Sequence, residues 1–262
     1  MDFLTVKNLY LSLKHHQREL PILKGVSLSI QRNETLGIVG ESGSGKTMLM
    51  KFLLGLSPRN AFVSFEKFSF ENADVVPPSF LRTHAAMILQ DPHAALNPVL
   101  TVEQQLQEVF TLKGKKNNIK EHIFWALEEV SIKEPQRVSK SYPFELSGGM
   151  AQRVMIAIML ALRPKILIAD EPTSSLDVQV QKQILDLLHF KAEEHSMTLI
   201  MISHDLPLIS RYANRVLVMR QGCIVDSCNA ADLKNSSHPY TRGLFECLPI
   251  LRETRKRLPV IE

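Results

Sequence analysis

A glycine-rich segment near the start of the chain has the residue types and spacing of a phosphate-binding loop, or P-loop. It follows the apolar run Thr35–Val39 and precedes a helical pattern that begins at Lys46. Glycines let backbone N–H groups approach phosphate oxygens closely, and the helix N-terminus adds a favourable dipole. We expect Lys46 to contact the β- and γ-phosphates of a nucleotide, and the Thr47 hydroxyl to bind Mg²⁺. The predicted phosphate-binding residues are Gly40, Glu41, Ser42, Gly43, Ser44, Gly45, Lys46 and Thr47.

A second apolar segment, residues 166–169, ends in two carboxylates, Asp170 and Glu171. In a protein with a P-loop, an aspartate at the end of such a strand holds Mg²⁺, usually through water, so Asp170 is a candidate metal ligand. The next residue, Glu171, can polarise the attacking water as a general base. A strand capped by two solvated acids is the simpler interpretation of this segment alone, but the P-loop favours the functional one.

The chain between these two motifs contains Ser147, Gly148 and Gly149 at the predicted start of a long helix, an arrangement suited to binding an anion. In this context, residues 146–153 resemble the signature motif of the ABC ATPases. Three further segments occur in the order that this family shows, and they resemble its Q-loop, its D-loop and the end of its switch-histidine strand. These segments are residues 88–92, 174–177 and 201–205.

Several segments are similar in more detail to the ATPases of peptide/nickel importers, and the similarity covers essentially the whole chain. They are residues 41–46, 90–92, 96–98, 142–150 and 238–242. The resemblance implies a subunit that binds and hydrolyses ATP with Mg²⁺ to power an importer. Peptides, nickel, other metal chelates and glycosides remain open as cargo, because in such importers selectivity lies in the external binding protein and the permease.

The resemblance also implies roles for residues outside the P-loop. Glu171, His204 and Gln90 are expected to be catalytic, with His204 contacting the γ-phosphate and Gln90 sensing the attacking water. The metal is expected at Thr47, Gln90 and Asp170. In the family each ATP lies between the P-loop of one subunit and the signature of another, which implies nucleotide contacts from Ser147, Gly148, Gly149 and Asp177.

The partners implied by the resemblance are a second ATPase subunit, either a sister or a copy of this chain, and two membrane permease subunits. An extracytoplasmic substrate-binding protein would act indirectly, and nucleic acid is not expected. The expected location is the cytoplasmic face of the inner (plasma) membrane. Two alternatives are a weakly catalytic partner in an asymmetric pair and a soluble ABC ATPase outside transport. The presence of Gln90, Glu171 and His204 disfavours the first, and the importer-like segments disfavour the second.

The expected fold class is α/β, with a P-loop ABC-type ATPase core and an inserted helical subdomain. The core is predicted at about 1–91 and 161–225, the helical subdomain at about 92–160, and a C-terminal extension at about 226–262. Chain breaks are predicted at residues 75–78 and 142–144. The predicted strands are residues 4–13, 26–30, 35–39, 61–70, 85–89, 166–169, 199–202 and 216–219. The predicted helices cover 46–56, parts of 101–138, and 149–163.

One position departs from the family pattern. The family usually has an aromatic residue on an early strand that stacks on adenine, and the matching position here is Leu13. Tyr10 is offset by three residues, which places it on the opposite face of a regular strand. A bulge in the strand, His15 or His16 are the alternatives. The chain also ends without the cysteine-rich tail of longer relatives, so no iron–sulfur cluster is expected.

Composition limits the remaining classes. The chain has 262 residues, 45% of them hydrophobic, and a net charge of +4, which indicates one globular domain rather than a disordered chain. No apolar stretch reaches the roughly 20 residues that a membrane-spanning helix needs. Cys223, Cys228 and Cys247 lack metal-ligand spacing and are expected to be reduced thiols. The basic run at residues 252–257 is expected to be a solvated surface.

Overall fold

The computed structural model describes residues 2–15, 18–71, 73–74, 83–115, 117–174 and 176–246. The chain divides into two compact units. The first unit is Met1–Arg82 with Thr198–Glu262, and the second unit is Thr83–Met197. The predicted helical block, residues 92–160, lies within the second unit, which also contains two strands.

Strands and helices alternate through much of the described chain. The strands are β1 (Asp2–His15), β2 (Arg18–Gln31), β3 (Thr35–Val39), β4 (Ala61–Ser64), β5 (Lys67–Phe70), β6 (Ala73–Asp74), β7 (Ala85–Ile88), β8 (Ile166–Asp170), β9 (Thr198–Ile202), β10 (Arg215–Arg220) and β11 (Cys223–Asn229). The helices are α1 (Lys46–Leu53), α2 (Pro92–Ala95), α3 (Val102–Leu112), α4 (Ile119–Glu129), α5 (Pro135–Ser139), α6 (Gly148–Ala161), α7 (Val178–Glu194), α8 (Leu206–Tyr212) and α9 (Pro239–Glu246). Short 3-10 helices cover Pro143–Glu145 and Ala230–Asn235.

The first unit contains an antiparallel sheet in the order β2-β1-β5-β6, and β4 also pairs with β1. Alternation along β1 places Leu4, Val6, Leu9 and Leu11 in the core. Aromatic contacts reinforce the same core, because Phe52 of α1 meets the Phe68 ring edge-on with centroids 5.9 Å apart. This packing ties the helix that follows the P-loop to the antiparallel sheet.

The first unit also contains β3, with the parallel strands β9 and β10 on either side of it and β11 antiparallel to β10. β3 and β9 are buried along their whole length. Strands covered on both faces read as continuous apolar runs, which is why the sequence predicted them so directly. A part-buried ion pair fixes the start of this sheet, since Arg215 Nε donates to the buried Glu34 Oε1 at 2.8 Å.

The second unit contains the parallel pair β7 and β8, with Ile88 opposite Ala169. Its helices pack around α6, whose residues from Ala151 to Ile158 are nearly all buried. Thr101 and Gln104 form a reciprocal capping box at the start of α3. The helical interpretation of residues 101–138 is confirmed, as α3, α4 and α5.

The structure differs from several predicted boundaries for local reasons. The predicted strand at residues 61–70 is two strands, β4 and β5, each paired with a different part of β1. The helix predicted to continue to residue 56 ends at Leu53, before Gly55 with φ of +65°. The helix predicted to reach residue 163 ends at Ala161, and Arg163 has φ of +49°. The break predicted at residues 75–78 lies outside the described residues.

Candidate nucleotide-binding and catalytic site

The P-loop lies between β3 and α1, in the strand–loop–helix context that the sequence predicted. Gly40 has φ of +149°, and a Cβ atom at this position would lie 2.2 Å from the Met219 carbonyl oxygen. Only glycine fits this close approach to the end of β10. Gly45, with φ of +106°, is the N-cap residue of α1, so the first N–H groups of the helix follow directly from the loop.

Lys46 is 7% exposed and its ammonium group lies inside the loop. Its Nζ donates to the carbonyl oxygens of Gly40 at 2.7 Å and Glu41 at 2.8 Å, and to Ser44 Oγ at 3.3 Å. Thr47 is exposed in the first turn of α1. The ammonium group and the N-terminus of α1 together place positive charge in the loop, which suits the binding of a phosphate.

His204 follows the end of β9, at the same edge of the parallel sheet where the P-loop follows β3. β3 and β9 are parallel with Ile38 opposite Ile202, and the Ser203 N–H donates to the Ile38 carbonyl at 3.3 Å. His204 is exposed just beyond this point. The next residue, Asp205, caps α8 by accepting from the Leu208 N–H at 3.0 Å. The first unit therefore gathers its predicted phosphate-contacting residues at the carboxyl ends of its parallel strands.

The second unit has a corresponding arrangement at the carboxyl ends of β7 and β8. Gln90 lies two residues after β7, Asp170 is the last residue of β8, and Glu171 follows it. Ile88 pairs with Ala169, so the two strands end side by side. Gln90 Nε2 donates to Ser174 Oγ at 2.9 Å. Glu171 has φ of +45°, a left-handed conformation that it shares with eight other non-glycine residues of the described chain.

The signature and the D-loop lie against each other within the second unit. Ser147 caps α6, with the Met150 N–H donating to its hydroxyl at 3.4 Å. A Cβ atom at Gly149 would lie 3.1 Å from Val180 Cγ1, so the start of α6 packs closely against α7 at this position. Asp177 caps α7 by accepting from the Gln179 and Val180 N–H groups at 3.1 and 3.0 Å. Ser175, within the predicted D-loop, lies outside the described residues.

The early strand contains the bulge that the sequence left open. The pairing of β1 with β2 shifts register between Leu9 and Tyr10. Tyr10 is 54% exposed, and its ring covers Gly25, where an added Cβ would lie 3.0 Å from the hydroxyl oxygen. Tyr10 also lines a cleft of about 460 Å³. Leu13 is half-buried, while His16 and the His15 side chain lie outside the described part of the chain.

Gln105 shapes the importer-like segment at residues 96–98, and the sequence reasoning missed it. Its side chain accepts from the Asn97 N–H at 3.0 Å and donates to the carbonyl oxygens of Asn97 and Leu100, both at 3.1 Å. It falls on the same helix face as Val102 and Val109. A glutamine within an apolar stripe was the available signal, since a buried amide needs partners.

Three ionisable groups cluster in the second unit away from the predicted motifs: Glu129, Glu194 and His195. Lys191 Nζ donates to Glu129 at 2.5 Å and to Glu194 at 2.7 Å, so an ammonium occupies the place that a metal would take. Burial would lower the pKa of Lys191, but these two hydrogen bonds and charges raise it above its ordinary value. The adjacent cavity of about 410 Å³ includes none of the predicted site residues.

Comparison with known proteins identifies the family to which this architecture belongs. The family described as ABC transporter matches residues 23–174. The chain belongs to this family, and it is an ATP-binding subunit that hydrolyses ATP.

The chain is similar to particular relatives over most of its length. It is 39% identical to the dipeptide transport ATP-binding protein DppD of Haemophilus influenzae, covering 100% of this chain and 82% of that protein. Among solved structures, cbiO1 from Clostridium perfringens, part of the ABC transporter complex cbiONQ, matches with a TM-score of 0.74 and 28% identity, covering 90% of this chain and 91% of that one. The ATP-binding cassette MJ0796, solved as a dimer bound to ADP and Pi, matches with a TM-score of 0.73 and 25% identity, covering 87% and 98%.

Proposed function

We propose that this chain powers the uptake of peptides as the ATPase subunit of an importer. The observation that carries the proposal is the full-length similarity to a dipeptide transport ATPase, combined with intact Gln90, Glu171 and His204. Nickel stays a second candidate cargo on sequence resemblance alone. The weakly catalytic alternative loses support because all three residues are present, each within two residues of the carboxyl end of a strand.

The proposed nucleotide site starts from the P-loop. Its backbone N–H groups and the Lys46 ammonium bind the β- and γ-phosphates, because both present positive charge within the same loop. Ser42, Gly43 and the N-terminus of α1 complete the cradle. The unsettled adenine contact falls to Tyr10, because its exposed ring lines the cleft of about 460 Å³.

The residues proposed for the metal fit Mg²⁺ by their chemistry. Thr47 offers a hydroxyl, Asp170 a carboxylate and Gln90 an amide oxygen, which are the hard oxygen ligands that Mg²⁺ prefers, directly or through water. When bound, Mg²⁺ neutralises charge on the β- and γ-phosphates.

The proposed hydrolysis uses Glu171 as general base toward a water that attacks the γ-phosphate. Its position directly after β8, beside the end of β7 that precedes Gln90, supports this role. His204 contacts the γ-phosphate from the end of β9. Gln90 orients the water, and its hydrogen bond to Ser174 links it to the D-loop.

The proposed working form is a pair of ATPase subunits, either two copies of this chain or this chain with a sister. Ser147, Gly148, Gly149 and Asp177 of one subunit complete the ATP site of the other. The dimeric cassette with ADP and Pi supports this arrangement. ATP closes the pair and hydrolysis reopens it, because ATP binds the closed state more tightly.

The proposed coupling partner is a pair of membrane permease subunits, engaged through the helical block at residues 92–160 as an inserted subdomain. An extracytoplasmic binding protein delivers the cargo to the permease, and the ATPases lie at the cytoplasmic face of the membrane. No helix in the described ranges is long and apolar enough to cross a membrane. Membership of the cbiO1 relative in a transporter complex supports this assembly.

The test uses the complex purified from native membranes and placed in liposomes. We expect ATP-dependent uptake of a labelled dipeptide, and we expect Glu171→Gln to abolish ATP turnover while leaving ATP binding intact. Glu193→Gln, an exposed carboxylate on α7, is the matched control. Turnover that survives Glu171→Gln contradicts the general-base assignment. A complex that takes up nickel but no peptide contradicts the cargo, and purification without any permease contradicts the transport function.

A further inference from the structure

The segment at residues 238–242 carries part of the family resemblance but has no role in the ATP chemistry described so far. In the structure it is fixed to β11 by one carboxylate. Asp226 accepts from Ser236 Oγ at 2.5 Å and from Thr241 Oγ1 at 2.6 Å, and both hydroxyl-bearing residues are buried. We call Asp226, Ser236, Tyr240 and Thr241 the C-terminal clasp. The two short hydrogen bonds to one carboxylate set the position of the first turn of α9.

Tyr240 projects from this turn and is 3% exposed. The Arg220 guanidinium carbon lies 4.8 Å from the centre of its ring, within the range of a cation–π contact. The Tyr240 hydroxyl has no hydrogen-bond partner of normal geometry in the described chain. Burial raises the pKa of this hydroxyl, and the other influences on it come from Glu41 and Arg220. Glu41 is a residue of the P-loop, so Tyr240 lies beside that loop.

Arg220 connects Tyr240 to the P-loop by a second route. It is the last residue of β10 and is followed by the turn at Gln221 and Gly222, and the Gly222 N–H donates to the Ser44 carbonyl at 3.0 Å. The preceding residue, Met219, places its carbonyl against Gly40. The end of β10 and the turn after it therefore form a wall against which the P-loop packs.

We infer that the C-terminal clasp holds this wall in place, and that Tyr240 is a positioning residue for ATP binding through Arg220. The inference rests on the proposed role of the P-loop. The clasp does not touch the reacting atoms. Loosening it leaves the P-loop less preorganised for phosphate, so ATP binds more weakly, while the rate at saturating ATP depends on Glu171 and stays close to that of the unaltered chain.

The test measures the KM for ATP and kcat of the full chain carrying Arg220→Met or Tyr240→Leu. Because the Arg220 side of this cation–π contact is partly exposed, its loss predicts a KM increased about three- to tenfold with kcat within about twofold. Tyr240→Phe keeps the aromatic ring, so its KM for ATP is expected to stay close to that of the unaltered chain, without most of the increase seen in Tyr240→Leu. The double variant is expected to be no worse than either single one, because both remove the same contact.

The matched control is Arg211→Met. Arg211 also lies over a tyrosine, Tyr212, at 5.5 Å in the same unit, but on α8 rather than on the wall of the P-loop. Equal KM values for Arg220→Met and Arg211→Met would overturn the inference. The inference would also be overturned if the variants kept a normal KM and lost kcat only in proportion to the fraction of protein that had failed to fold.

Lys46→Ala separates failure of the clasp from failure of the P-loop assignment. If Lys46→Ala weakens ATP binding and the clasp variants do not, the clasp inference is wrong and the proposed nucleotide site stands. If Lys46→Ala leaves ATP binding unchanged, the proposed role of the P-loop fails and the clasp inference fails with it.

Discussion

Gly40→Ala is the substitution whose effect the structure defines most sharply. The added methyl group would lie 2.2 Å from the Met219 carbonyl oxygen and 2.9 Å from Ser44 Oγ. Because Met219 O is a backbone atom of β10, the P-loop or the strand end must move by about 1 Å, and such overpacking costs about 1–3 kcal/mol. A shift of about 1 Å in a positioning element also lowers catalysis by about a hundredfold.

The matched control for this prediction is Gly43→Ala in the same loop. Gly43 also has a positive φ, of +80°, but a Cβ there would meet no protein atom within 4 Å. It therefore measures the conformational penalty alone, about 1–2 kcal/mol. We expect Gly40→Ala to lower the urea midpoint more than Gly43→Ala does. Equal midpoints, or normal ATP turnover in Gly40→Ala, would refute the packing argument.

Three further predictions concern contacts that fix the strands and helices around the site. Glu34→Ala removes the carboxylate that pairs with the part-buried Arg215, whose guanidinium keeps its hydrogen bond to the Ser29 carbonyl, so the free energy of unfolding should fall by about 1–3 kcal/mol in urea titrations. Adding Arg215→Met should recover part of that loss. Asp177→Ala removes the two N-cap hydrogen bonds of α7, so urea unfolding should show a loss of about 0.5–2 kcal/mol, and Asp177→Asn should lose less. Burial opposes the hydrogen bonds from Ser236, Thr241 and the Ser227 backbone, but they hold the pKa of Asp226 below its ordinary value of 3.8. Its contribution to stability is therefore complete above that value and is lost as the pH falls through the lower folded pKa, a dependence that acid titration should show and Asp226→Asn should remove.

The sequence predicted those parts of the fold that are encoded locally. β3, β9 and β10 were recognisable because strands buried on both faces are continuous apolar runs. The P-loop and the acidic end of β8 were recognisable because their residue types and spacing are set by chemistry rather than by distant contacts. The ABC family assignment is confirmed, while the roles of individual site residues stay predictions.

The remaining features depend on contacts between residues distant in sequence. The split of residues 61–70 into β4 and β5 follows from pairing with two different parts of β1, which no local pattern specifies. The ion pair of Glu34 and Arg215 depends on the parallel register between β3 and β10. The cation–π contact of Tyr240 likewise depends on how α9 packs. The sequence of residues 238–242 therefore showed a family resemblance but did not indicate what the segment does.

The motifs proposed for ATP binding and for ATP hydrolysis lie largely in different units, so substitutions can affect one step without the other. The first unit holds Lys46 and His204 at the ends of β3 and β9, whereas the second unit holds Gln90 and Glu171 beside β7 and β8. The phosphate binding proposed for the P-loop therefore depends on contacts internal to the first unit, such as those of Ser44 with the turn after β10. Substitution of Glu171 should remove ATP turnover without loosening the P-loop, whereas substitution in the C-terminal clasp should weaken ATP binding and leave the proposed general base in place.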